Sequence, residues 1–172
     1  MERSWMRGRV AAALAVACML GTACATKPGA AVAKNPLTGT WILVAADVIK
    51  PDGERLHDFG AAPTGLLIVD AEGRYSLQIF KSERPRFASA DKDEATPTEY
   101  RSAVMGSSTH FGRVSVDAAS GTLAFSIASA SFPNWEGTTQ TRHFDLKDGV
   151  LSYQVQPRPN GDVPLSVWKR AG

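Results

Sequence analysis

The chain has 172 residues, 44% of them hydrophobic and 8% aromatic, and a formal charge of +2 at pH 7. That length suggests one domain. The positive excess lies in the first nine residues, where Arg3, Arg7 and Arg9 outnumber Glu2. From Cys24 onward acidic and basic residues are equal in number, which leaves no basic footprint for nucleic acid.

Residues 1–9 form a basic stretch, and residues 10–25 an alanine-rich apolar run too short for a good membrane span. The pattern predicts an export signal over residues 1–24. With no adjacent arginine pair, the general secretory route is expected over a twin-arginine route. Cys18 and Cys24, the two cysteines, both fall in this segment, so no disulfide staples the mature domain. Gly21-Thr22-Ala23-Cys24 resembles a bacterial lipobox: the small Ala23 fits, whereas Gly21 stands where Leu is usual. Cys24 is therefore the candidate lipidation site, with plain cleavage after Ala25 or Ala33 as the alternative. Residues 25–36 read as a flexible tether and residues 37–172 as the folded domain. The expected location is the periplasm, free or anchored to the outer membrane.

The rest reads as short strands separated by turn residues. Residues 41–49 are apolar on both alternating faces, with Trp41, Leu43 and Ala45 on one and Ile42, Val44 and Ala46 on the other. Such a strand is expected to be covered outside as well as inside. Residues 54–58 form a weak second strand after Pro51-Asp52-Gly53. Residues 65–70 and 74–80 read as a hairpin around Ala71-Glu72-Gly73, with Tyr75, Leu77 and Ile79 sharing a face. Residues 81–95 are polar and irregular. A short helix then starts with Thr96 as N-cap, Pro97 in its first turn and Glu99 closing a capping box, and Gly106 ends it. Its Tyr100, Ala103 and Val104 make it a cover for the first strand or a plug for a barrel end.

Strands over 111–117 and 122–129, and over 138–146 and 150–156, form two more hairpins, and residues 163–170 the last strand. The prediction is an all-β antiparallel barrel of about 8–10 strands with one short helix. Leu123, Phe125 and Ile127 form one inward row, and Leu151, Tyr153 and Val155 another. Arg142 shares the inward face with Phe144 and Leu146, and a buried charge is costly unless paired. Trp41 on the first strand and Arg170 at the end of the last suit a sealed barrel floor, the guanidinium lying over the indole.

Several ordered pieces carry a family resemblance: Leu37-Thr38-Gly39-Thr40-Trp41, Asp58-Phe59-Gly60, Asp70-Ala71-Glu72-Gly73-Arg74-Tyr75-Ser76, Glu99-Tyr100-Arg101, Phe111-Gly112-Arg113-Val114-Ser115-Val116-Asp117, Phe132-Pro133-Asn134-Trp135-Glu136-Gly137-Thr138 and Trp168-Lys169-Arg170. Residues 37–170 thereby resemble bacterial and fungal lipocalin-like domain proteins. The resemblance implies a calycin-type barrel with an internal cavity, and implies little about the ligand. Relatives often carry histidine on the strand before Phe-Pro-Asn-Trp. Here that place holds Phe125-Ser126, so an activity using those histidines is not implied.

The expected function is binding of a small hydrophobic or amphipathic ligand, by a monomer without cofactor, through Tyr75, Leu77, Phe125, Trp135, Arg142 and Tyr153. Trp135 would stand at the mouth or anchor its loop. Arg142 would meet a ligand carboxylate, pair with Asp or Glu, or snorkel to the rim. His57, His110 and His143 are dispersed without metal-ligand spacing, and no nucleophile elbow, P-loop or dinucleotide fingerprint occurs. The alternatives are a cavity-based isomerase or cyclase, and a solid barrel acting through its surface. A ligand barrel should enclose about 300 Å³ or more.

Overall fold

The computed structural model describes residues 35–172. The export signal, Cys24 and nearly all of the tether lie outside the described residues. Nine strands and one α-helix are present among them: β1 Gly39–Ile49, β2 Arg55–Leu56, β3 Thr64–Val69, β4 Arg74–Phe80, α1 Pro97–Met105, β5 Ser107–Asp117, β6 Thr122–Ala130, β7 Thr139–Lys147, β8 Val150–Gln154 and β9 Val163–Arg170. Every pairing is antiparallel, each strand from β3 to β8 pairs with the next, and β1 pairs with both β3 and β9. The sheet therefore closes on itself, with β2 attached beside the end of β1, and closure removes the free edges that an open sheet would expose.

One end is sealed. Three tight turns close it, two of them built by aspartates whose side chains accept from following backbone N–H groups: Asp70 from Glu72 and Arg74, and Asp117 from Ala119 and Ser120. Asp148 and Gly149 supply the positive φ of the third turn. Behind these turns Trp41, Trp168, Leu67, Leu123 and Leu151 are fully buried. The Trp41 indole donates to the Leu37 carbonyl at 2.8 Å. The Arg170 guanidinium lies 4.2 Å from the Trp41 ring centre and donates to the carbonyls of Thr38 and Pro36 at 2.7 and 2.8 Å. Gly39 makes room for it. Its φ is +133°, and a Cβ there would stand 2.8 Å from Arg170 Nη1, so a side chain would be strained and would push the guanidinium away.

The other end carries the long connections, residues 50–63, 81–106, 131–138 and 155–162. Helix α1 begins with the full capping box: Glu99 N–H donates to the Thr96 hydroxyl, and Thr96 N–H to the Glu99 carboxylate. Glu99 also accepts from Ala88 N–H at 2.7 Å, which ties the preceding loop to the helix start. No residue of α1 is buried, and the helix packs beside β5.

Two expectations for β1 are corrected. Ala46 belongs to the inside, because the register against β9 shifts between Leu43 and Ala45, and this bulge turns the following residues over. The outer face is also uncovered: Ile42 and Val44 are 47% and 54% exposed. The helix sits at the open end and leaves that face bare.

Candidate ligand cavity

The open half of the barrel holds a cavity of about 540 Å³. Leu77 and Ile79 of β4, Arg142 of β7 and Tyr153 of β8 line it from within. Val104 and Met105 of α1, with Phe132 and Trp135 of the β6–β7 connection, border it on one side. Asp58, Phe59 and Arg158 border it on the other. The apolar border is exposed, Met105 at 59% and Phe132 at 48%. The charged border is tied together by ion pairs joining its two loops, Asp58–Arg158 at 3.0 Å and Lys50–Asp162 at 2.8 Å. Asp47, also on the wall, is buried and fully engaged, accepting from Arg55 Nε at 2.6 Å and meeting His57 Nδ1 at 3.0 Å.

Arg142 sits at the base of the cavity and is only 5% exposed. Its guanidinium lies 4.4 Å from the Phe125 ring centre and 4.9 Å from that of Tyr153. Nη2 donates to Gln140 Oε1 at 2.9 Å and approaches His110 Nε2 at 3.5 Å. Nε has no partner, and neither does the buried Tyr153 hydroxyl. Among the described residues no carboxylate forms an ion pair with Arg142.

Beneath Arg142 lies a group that sequence reasoning misses. His110 of β5 is buried and shares a 2.6 Å hydrogen bond with the Tyr75 hydroxyl through Nδ1. Burial, and then the neighbouring Arg142 charge, push the His110 pKa down to about 3, so the ring is neutral at physiological pH. Arginine can only donate, so Nε2 is the accepting nitrogen and Nδ1 carries the proton toward Tyr75. Burial holds the Tyr75 phenol well above its ordinary pKa. Strand alternation carried back from the inward Val114 places His110 inside. The polar run Ser107-Ser108-Thr109-His110 hides it, because the sequence pattern starts β5 at Phe111.

Of the residues expected to meet ligand, Leu77, Trp135, Arg142 and Tyr153 border the cavity. Tyr75 and Phe125 do not. They lie in the packed core, Tyr75 edge-on to both His110 and Phe125, while the Arg142 guanidinium covers the Phe125 ring. Trp135 combines its two expected roles, bordering the cavity while packing edge-on against His110 and Phe132. His57 and His143 are exposed.

A family model described as lipocalin-like domain matches residues 38–171. No curated protein matches the chain. Among solved structures, a single-substitution mutant of the fluorescent protein UnaG is similar at 16% identity, covering 78% of this chain and 96% of that one with a TM-score of 0.35.

Proposed function

This chain belongs to the lipocalin-like domain family, and on that premise we propose that it binds a small hydrophobic or amphipathic molecule in the open half of its barrel. The observation that carries the proposal is the cavity itself. At about 540 Å³ it falls within the range of about 300–1,000 Å³ usual for ligand sites, and a barrel packed solid would lack it. Leu77, Ile79, Phe59, Phe132 and Val155 give it an apolar surface beside the polar and charged residues of its lining, the mixture that suits a hydrophobic or amphipathic ligand. Export and a lipid anchor at Cys24 belong to the same proposal, placing the barrel outside the cytoplasm on a short tether. Labelled palmitate entering the protein, and failing to enter a Cys24→Ser variant, tests the anchor.

Tryptophan fluorescence tests the binding. Trp135 borders the cavity while Trp41 and Trp168 are buried at the sealed end. Titration with fatty acids and related lipids should change emission saturably, and Trp135→Phe should remove most of that change. A broad panel giving no saturable signal would overturn the proposal. Native mass spectrometry of protein from its own host would then identify the physiological ligand by its mass.

A further inference from the structure

We infer that the cavity is built for a carboxylic acid, held head-down with its carboxylate on Arg142 and Tyr153 and its apolar body toward the mouth. This rests on the proposed ligand binding and names the chemistry of the ligand. Arg142 has three possible fates, and the structure removes two. It does not snorkel, since it is 5% exposed. It does not pair with a carboxylate among the described residues, where the nearby acids are engaged elsewhere: Asp47 by Arg55 and His57, and Asp58 by Arg158. Its neighbours Gln140 and His110 are uncharged acceptors, and the Phe125 and Tyr153 rings offer only their faces. A buried cation with no counter-charge is a state that proteins rarely keep unless something completes it.

Two buried donors mark where the completing group belongs. Arg142 Nε and the Tyr153 hydroxyl both lack acceptors and have almost no accessible surface. Their side chains are in contact through the 4.9 Å guanidinium–ring approach and both residues border the cavity, so the donors lie just beneath its floor and a carboxylate reaches them as those side chains turn. A carboxylate supplies the missing charge and two oxygens in one plane, matching a guanidinium edge plus a hydroxyl. Gln140 and His110 act as positioning residues. By accepting from Nη2 they hold the guanidinium with Nε left free. His110 does so only as the neutral ring, so the base of the cavity carries one positive charge and suits one negative charge. Above it Phe59, Ile79, Val104, Met105, Phe132 and Val155 offer an apolar path to the mouth. The opposite orientation, head-up at the rim, would use Lys81 and Arg158, but Arg158 is paired with Asp58, Lys81 lies over the Phe59 ring, and both face solvent, where salt screens them.

The test uses dansyl-labelled undecanoic acid and its methyl ester, with the folded full-length domain at neutral pH. The acid should bind more tightly than the ester. Arg142→Gln should weaken the acid about 10- to 100-fold, the range expected for losing a charged hydrogen-bonding partner, and bring it to the level of the ester. Tyr153→Phe should weaken the acid by a smaller factor and leave the ester unchanged. Tyr153→Phe keeps the test decisive if Arg142→Gln does not fold, since it removes one oxygen from a site that is already aromatic. Equal binding of acid and ester to the unaltered protein, or equal loss of both in Tyr153→Phe, overturns the carboxylate inference and leaves cavity binding standing. Loss of acid binding in Lys81→Gln with no loss in Tyr153→Phe overturns the head-down orientation. If neither probe binds, and the lipid panel is also silent, cavity binding itself is overturned.

Discussion

At the sealed end of the barrel, short turns close over two tryptophans that fill the interior beneath one arginine, and the buried polar groups there are nearly all bonded to nearby backbone. At the open end, long loops and an unburied helix surround about 540 Å³ of space, and two polar atoms at its base, Arg142 Nε and the Tyr153 hydroxyl, lack partners. The Trp168 indole N–H, unpartnered at the sealed end, is the exception. The contrast separates two uses of the same inward positions. Where facing side chains are large they meet and stabilise. Where they stop short, the space is left for another molecule.

Trp41→Ala gives the largest expected effect and breaks the comparison at its sealed end. A buried tryptophan truncated to alanine costs about 3–5 kcal/mol, and here the indole is also the surface on which Arg170 rests. Urea unfolding should show that loss. A loss under about 1 kcal/mol would mean that the sealed end does not carry the stability of the barrel.

His110 marks the boundary between the two ends, and its titration sharpens the comparison. Its folded pKa of about 3 lies below the ordinary value near 6.5, so the unfolded chain takes up the proton first. Stability is therefore full above about pH 6.5 and falls as pH drops toward about 3, with about 2 kcal/mol gone by pH 5. Most carboxylates are still charged at about pH 5, so the decline between about pH 6.5 and 5 reports histidine, of which His110 is the buried one while His57 and His143 are exposed. His110→Gln should flatten that decline in pH-dependent urea midpoints. An unchanged slope would place the titration elsewhere.

Arg170→Gln tests the lid apart from the indole beneath it. Losing two bonds to backbone carbonyls and the stacking on Trp41 should cost about 1–2 kcal/mol at this solvent-facing position. Gly39→Ala should cost a similar amount by displacing the same guanidinium. The two losses should not add in the double variant, because both act through one contact; full additivity would show that Gly39 and Arg170 act independently.

The sealed end is more legible in the sequence than the open one, for physical reasons. The start of the last strand is readable, because Pro157, Asn160 and Gly161 stand just before it. The capping box of α1 is equally plain, since Thr96, Pro97 and Glu99 act locally. The bulge in β1 is not readable: one extra residue leaves no compositional trace, yet it moves Ala46 to the inside. Arg142 is recognisable as inward from alternation alone. Its missing counter-charge depends on where Asp47 and Asp58 find partners, in β2 and in the loop before β9, and such long-range pairing has no local signature. Tyr75 and Phe125 fall on the expected face but not against the ligand space, because alternation gives the face of a strand and not the height along the barrel.

Trp135 gives the smallest effect on stability and the most direct test of the open end. It sits in a single turn, Pro133–Trp135, and is only partly buried. Trp135→Ala should therefore cost about 1 kcal/mol or less in urea unfolding. It removes one aromatic contact with His110 and one with Phe132, while the backbone bond from Gly137 N–H to the Ile127 carbonyl still holds the loop to β6. Binding should respond more strongly than folding, because the indole borders the cavity and its loss widens the apolar side of the mouth. Acid and ester probes should weaken together, in contrast to Tyr153→Phe, since Trp135 meets the body of the ligand and not its head. A stability loss matching that of Trp41→Ala would show instead that the two ends are one cooperative core, and the division between them would fail.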